Sequence, residues 1–514
     1  MPRRNIRKAI LIVLASLGGL LLVAFLGIQL FIRWATSRDP FEPAYLENCA
    51  VCHGEQLEGA ALGTSLAGVP LKHGDSVDAI ARSIAAGFPD KGMPAWSKTM
   101  SAEQIRSLAI YVAERRVDRR FFEFKVDEPI ALPEGVVESE LHAFRIETVA
   151  EGLAPLPFSI APLPDGRILV TEKKRGLRVV SPDGESIVVE GTPDTGSFGL
   201  KVGPLEYGVG WLMDVATHPD YEENGWIYLH HGDLCRGCEE VDGGLIPRSM
   251  NRVIRGRIRD GAWVDEEVVW SADPSTYTTM TDLAAGGRIA FDGDGHVFIA
   301  VGMKGPANYL GIQDLAMPYG KIHRVHDDGR MPDDNPFVGV PGAMPSIWTY
   351  GHRSPQGLEF DRNSGQLWGT EMGPRGGDEL NHLRPGRNYG WPLVSNGLDY
   401  DGTPVEYGKE LGIEPDLDEI EQPIVDLTPA PAVSSFVIYD GDAFPEWRGQ
   451  YIVGTLKAAE LYRIELDDGE WVKTEILLRN LARIRDIETG PDGSIYLLLE
   501  HGSGGQIVRL APAG

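Results

Sequence analysis

Asp292-Gly293-Asp294-Gly295-His296-Val297-Phe298-Ile299 is a turn of aspartates and glycines that runs directly into a β-branched and aromatic stretch, and the pattern recurs along the chain. Comparable units are Leu163-Pro164-Asp165-Gly166-Arg167-Ile168-Leu169-Val170, and His218-Pro219-Asp220 leading to Trp226-Ile227-Tyr228-Leu229. They continue with Asp361-Arg362-Asn363-Ser364-Gly365-Gln366-Leu367-Trp368, Trp447-Arg448-Gly449-Gln450-Tyr451-Ile452-Val453 and Pro491-Asp492-Gly493-Ser494-Ile495-Tyr496-Leu497. Asp and Gly favour hairpin turns because they accept the left-handed backbone such turns need. Repeats of this kind at comparable spacing predict a mainly β fold, a six-bladed β-propeller from about Phe144 to Leu510 with one four-stranded sheet per blade. Asp292 and Asp294 also have the side chains of a calcium loop, but the hairpin is the expected reading.

Composition supports this outline. The 514 residues carry 62 Gly and 36 Pro, which favours many turns over long helices. A formal charge of −27 excludes nucleic acid as a partner, since phosphates call for basic patches.

Upstream of the repeats lies Cys49-Ala50-Val51-Cys52-His53, a Cys-x-x-Cys-His run that reads as a c-type haem attachment site. Cys49 and Cys52 would bind the porphyrin covalently and His53 would be the first axial ligand of its iron. Met93, in Gly92-Met93-Pro94-Ala95-Trp96, is the expected second ligand, a pairing that raises the reduction potential. Met100 is the rival. Ser101 and Gln104 form a capping box ahead of a helix whose Ile105, Leu108, Ala109 and Val112 share one face. This small all-α region resembles class I cytochromes c. A haem of this type is attached outside the cytoplasm, so export is expected. Arg3, Arg4, Arg7 and Lys8 precede an uncharged run, Ala9 to Ile32, long enough for a transmembrane helix. The expected organisation is a basic tip and membrane anchor over 1–38, a cytochrome c domain over 39–116, a linker over 117–141 and the propeller over 142–514. The expected place is the bacterial inner membrane, with the bulk of the chain periplasmic.

Propeller loops carry function at the mouth of the central channel, and several loops here are distinctive. Arg353 lies in Tyr350-Gly351-His352-Arg353-Ser354-Pro355, Lys457 in Gly454-Thr455-Leu456-Lys457, and Arg483 and Arg485 in Arg483-Ile484-Arg485-Asp486. These cations in an acidic chain would, if they converge, hold a small polyanion through guanidinium forks. Surface ion pairing is the alternative. His230, His231, Cys235 and Cys238 form another cluster, open to a disulfide or to a zinc or copper site.

In combination with Gly373-Pro374, Gly376-Gly377-Asp378-Glu379-Leu380-Asn381 and Asn388-Tyr389-Gly390-Trp391-Pro392, these loops resemble the soluble PQQ-dependent glucose and aldose sugar dehydrogenases. The resemblance implies PQQ bound through Lys457, Arg483 and Arg485, with Arg353 beside its reactive carbonyl. It implies a calcium ion held by the backbone carbonyls of Gly373 and Pro374, and places Glu379 and Tyr389 near a second calcium. The chain also departs from that family. A His base is expected where Ala284 stands in Ala284-Ala285-Gly286-Gly287-Arg288, and Val209, Met303, Lys304, Ser354 and Met372 replace other family residues. Removing a hydroxyl proton during hydride transfer needs a base. Asp282 is the nearest substitute and Glu371 the second candidate.

Two functions are consistent with this pattern. One is a membrane-anchored quinohaemoprotein dehydrogenase that oxidises a sugar, polyol or alcohol and passes electrons through its own haem to a respiratory acceptor. The other is a propeller without catalysis, a ligand- or partner-binding module tethered to an electron-transfer cytochrome.

Overall fold

In the computed structural model each of the quoted turns joins the first and second strand of a successive antiparallel sheet, and six sheets form the blades. The structure describes residues 41–116, 129–195, 199–202, 205–235, 238, 246–305 and 309–513. The first blade is Pro157–Pro162, Ile168–Glu172, Gly176–Val180 and Ser186–Val188; the second opens on Leu212–Thr217 and the third on Gly286–Phe291. The fourth, fifth and sixth open on Pro355–Asp361, Val433–Ile438 and Arg483–Thr489. These opening strands neighbour one another in a closed ring, the last packing on the first. The Asp292 turn is a hairpin: Asp292 accepts from the backbone of Asp294 (2.7 Å) and pairs with His296 Nδ1 (2.7 Å).

The ring is closed by the start of the propeller sequence. Ala143–Ala150 and Val136–Glu138 add to the outer edge of the sixth blade, beside Gln506–Pro512. Phe144, Trp447, Leu497 and Leu510 pack in one buried cluster under this seam. The buried carboxylate of Glu475 fastens it, accepting from Ser139 Oγ (2.6 Å), the Leu141 amide (2.8 Å) and Arg463 Nε (2.8 Å). Burial alone would raise this carboxyl, but those donors and His142 overcome it and hold the group at about 2.

Charged pairs tie the inner strands where a polar backbone would otherwise be unsatisfied. Asp486 accepts from the Ile160 amide (2.8 Å) and Asp214 from the Ile289 amide (2.7 Å), each reaching from one blade to the next. Arg288 pairs with both carboxylates, at 3.1 Å to Asp214 and 2.7 Å to Asp486.

The described residues divide into two compact units, residues 41–116 with Tyr400–Gly402, and the remainder. The first is helical: Glu42–Asn48, Ala50–His53, Val77–Ala86 and Ala102–Arg116. The capping box forms as the sequence indicates, with the Ser101 amide donating to Gln104 Oε1 (2.9 Å) and the Gln104 amide to Ser101 Oγ (3.2 Å). Ile105, Leu108, Ala109 and Val112 are all buried. Among the described residues no helix is long and apolar enough to cross a membrane; the expected span, Ala9 to Ile32, lies outside them, as does 117–128 of the expected linker.

Candidate active site

Antiparallel pairing sets the start of each inner strand beside the end of the strand that follows it. Pro157 pairs with Glu172, Pro355 with Glu371, Val433 with Thr455 and Arg483 with Glu500. The hairpin turns therefore occupy one face of the propeller, and the loops singled out from sequence gather on the other. That face holds a buried cluster of cations. Arg483 Nε donates to Glu500 Oε2 (2.8 Å), Arg485 Nε donates to Glu500 Oε1 (2.6 Å), and Lys173 Nζ lies 3.5 Å from the same carboxylate. Glu500 has no exposed side-chain surface, and despite burial these three cations hold its carboxyl well below the usual range. Three positive groups thus share one negative group.

The aromatic floor is Phe158 and Trp211. Lys173 Nζ sits 4.9 Å from the Trp211 ring centre and 5.7 Å from that of Phe158, over which Arg288 and Arg485 also lie, at 4.8 and 5.8 Å. The buried indole N–H of Trp211 has no hydrogen-bond partner among the described residues.

A run of hydrogen bonds connects this cluster to Arg353. Arg485 Nη1 reaches Gln356 Oε1 (3.4 Å), Gln356 Nε2 donates to Ser354 Oγ (3.0 Å), and the Ser354 amide donates to Glu371 Oε1 (3.2 Å), which also accepts from the Arg353 amide. Arg353 Nη1 then donates to the carbonyls of Met372 (3.1 Å) and Gly373 (2.9 Å), and its guanidinium lies 5.2 Å from the Trp391 ring centre. Asp378 closes the loop, accepting from the amides of Gly373 (3.0 Å) and Val433 (2.8 Å). Burial pushes its carboxyl up to about 7, opposed by those amides and by the charges of Lys457 and Arg353. Arg353, Arg483 and Arg485 are therefore brought into one network, and Lys457 and Arg353 act on the same carboxyl.

Two of the expected site groups already have partners in this geometry. Asp282 is buried without exposed side-chain surface, ion-paired to Lys304 and accepting from the Trp211 amide (2.9 Å). Lys304 Nζ also donates to Ser249 Oγ (2.7 Å) and the Met280 carbonyl (3.1 Å). In this geometry the carboxylate is committed to Lys304 and the Trp211 amide, a structural role. Glu371 is similarly committed, its second oxygen taken by His352 Nδ1 (2.8 Å). The second is the expected calcium position. The Gly373 carbonyl carries the Arg353 guanidinium, charge that a divalent cation would have to displace. Among the described residues no three His, Cys, Asp or Glu side chains converge to hold a metal. Near the second calcium expectation, Tyr389 donates to the His382 carbonyl (2.5 Å) and Glu379 accepts from Asn381 Nδ2 (3.1 Å). Burial, then the nearby Glu371, raises the Glu379 carboxyl well above its ordinary value.

Of the metal and disulfide alternatives downstream, the disulfide forms: Cys235 is bonded to Cys238. His230 is fully buried and accepts from Asn251 Nδ2 (2.8 Å), and burial lowers its imidazole to about 3, so it is neutral.

In the helical unit Cys49 ends the first helix and the next turn, Ala50–His53, puts Cys49, Cys52 and His53 on one side at helical spacing. Both thiols are free and half-buried, and burial with the neighbouring Cys52 raises the Cys49 thiol to about 11. His53 Nδ1 lies 2.9 Å from the Thr64 carbonyl. A carbonyl only accepts, so the proton is on Nδ1 and Nε2 keeps its lone pair for a metal. These residues fit a covalently bound haem. Met93 is half-buried and closes a short bridge with Phe88.

Lys173 and Glu500 carry no local mark of this role in the sequence. Lys173 is visible in Glu172-Lys173-Lys174-Arg175 as a basic run, but nothing local links it to residues that arrive at the end of the chain.

The chain thus combines a six-bladed propeller, cationic on the face that bears Phe158 and Trp211, with a helical Cys-x-x-Cys-His unit of cytochrome c type. The glucose/sorbosone dehydrogenase family profile matches residues 154–509, and this chain belongs to that family. The profile for cytochrome c oxidase, cbb3-type, subunit III, matches residues 39–112, so a cytochrome c domain lies at the N-terminal end. Aldose sugar dehydrogenase YliI of Escherichia coli (strain K12) is 34% identical over 363 residues, covering 69% of this chain and 90% of that protein. Quinoprotein glucose dehydrogenase B of Acinetobacter calcoaceticus is 25% identical over 418 residues, covering 66% and 82% respectively. Among solved structures, the apo-form soluble aldose sugar dehydrogenase of Escherichia coli matches with a TM-score of 0.60 and 30% identity, over 72% of this chain and 99% of that one.

Proposed function

We propose that this chain is a quinohaemoprotein dehydrogenase that oxidises a sugar, polyol or alcohol at PQQ and passes the electrons to its own haem c. The observation that carries this reading is the excess positive charge buried on Glu500: an anionic, carboxylated ring is what such a cluster would neutralise. Lys457, Arg483 and Arg485 would hold the carboxylates, Trp211 and Phe158 would give an apolar floor, and Arg353 would present its guanidinium to the reactive carbonyl. PQQ, when bound, would supply the two-electron oxidant for the substrate carbon, with the hydroxyl proton released to solvent as the carbonyl forms. The cations orient it and stabilise the negative charge that develops. Cys49 and Cys52 would carry the haem, and His53 and Met93 would ligate its iron.

The domain limits follow the sequence: an anchor over 1–38, haem domain 39–116, linker 117–141 and propeller 142–514. With Ala9 to Ile32 as a membrane helix, the chain stands on the bacterial inner membrane facing the periplasm, where a respiratory acceptor takes its electrons.

The test is to purify the full-length chain without PQQ, add PQQ, and follow haem reduction while screening sugars and alcohols. Haem reduction that needs both PQQ and a substrate supports the enzyme. The commitment of Asp282 and Glu371 to buried partners, with Ala284 where a base is expected, favours a second reading, a binding module. Binding of PQQ or of a sugar with no haem reduction by any substrate would select it.

A further inference from the structure

Lys173 belongs to no motif that the sequence or the family likeness points to, yet it stands where the cation cluster is most crowded. It follows the second strand of the first blade, while Arg483, Arg485 and Glu500 come from the sixth. Its ammonium lies 3.5 Å from Glu500 Oε1 and over the Trp211 and Phe158 rings, with only about a tenth of the side chain exposed. The charged groups that act on it most strongly are Arg485, Glu500 and Arg483, two cations against one anion. The Trp211 and Phe158 rings lie beside it.

Resting on the PQQ reading above, we propose that Lys173 is a further anion-binding residue of the cradle, one that takes up a proton as a polycarboxylate binds. The physical cause is the balance of charge around it. Burial acts first and Arg485 and Arg483 add to it, holding the ammonium down to about 7 against the pull of Glu500. Carboxylates arriving on the two guanidiniums cancel their repulsion and add attraction, so the protonated form is favoured in the complex. Binding and proton uptake are then linked. Above pH 7 the free site must acquire a proton to bind, and affinity falls as pH rises. Below pH 7 Lys173 is already charged and the dependence disappears.

The experiment uses the full-length chain purified without PQQ, with PQQ itself as the probe. Calorimetric titration in two buffers of different ionisation enthalpy counts protons taken up per PQQ bound. Expected uptake is about half a proton at pH 7 and about nine-tenths at pH 8, with Kd weakening about tenfold per pH unit above that. Lys173→Arg keeps a charge at every pH. It should bind at pH 8 at least as tightly as the unaltered chain, without proton uptake. Lys173→Met should also lose the uptake and bind about tenfold or more weakly at pH 7. No proton uptake by the unaltered chain at pH 8, or undiminished uptake in Lys173→Arg, would overturn the role of Lys173 while leaving the PQQ site standing. No PQQ binding by the unaltered chain at any pH would overturn both.

Discussion

Arg353 Nη1 donates to the carbonyl oxygen of Gly373 at 2.9 Å, which places a positive charge on the oxygen that the family likeness gives to calcium. Arg353 and a divalent cation compete for this position. Replacing Arg353 by Gln removes the charge but keeps a donor, so calcium affinity should rise at least tenfold, about 1.4 kcal/mol. Calcium titration of the chain lacking PQQ, with a chelator as competitor, measures it. Equal or weaker binding by the variant would show that the guanidinium does not set the affinity.

Asp282 and Lys304 form an enclosed ion pair. Removing one partner strands the other charge in the interior, so Asp282→Asn should destabilise the propeller by about 3–5 kcal/mol. The double variant Asp282→Asn, Lys304→Met should recover much of that loss. Denaturant titration of the single and double variants checks this. A stable Asp282→Asn protein with abolished turnover would instead restore Asp282 as a catalytic group.

Glu475 fastens the closing strand and its carboxyl is held at about 2 in the folded protein. An unfolded glutamate titrates near 4.3. Its contribution is therefore complete above the unfolded value and is lost as pH falls from there through about 2. Glu475→Gln should flatten the stability profile in that window, removing a contribution on the order of 2 kcal/mol. Thermal unfolding from pH 5 to pH 2 would show it. Parallel losses in both proteins would assign the acid sensitivity elsewhere.

If Met93 is the second axial ligand, replacing it by His exchanges a thioether for an imidazole and should lower the haem potential by roughly 0.1 V or more. A redox titration of Met93→His decides it. An unchanged potential would move the assignment to Met100 or another group.

The features legible in sequence are those settled within a few residues. The Asp/Gly turns give hairpins because their own backbone preferences close them, and Ser101 with Gln104 forms its box because the partners are one helical turn apart. Cys49, Cys52 and His53 share one side of a turn for the same reason. Arg483 and Arg485, two residues apart on a strand, point to the same face and so share Glu500.

The functional surroundings of those residues were decided by ring closure. Lys173 and Glu500 are distant in sequence and meet because the first and sixth blades are neighbours in the circle. Asp282 reads as an available acid until Lys304, three residues beyond the strand His296–Val301, pairs with it. Gly373 offers a free carbonyl until Arg353 is folded onto it. Backbone preference and short-range hydrogen bonding act locally and leave a mark in the sequence. The partner of a charge is fixed by which strands are packed together, and that is a property of the closed propeller.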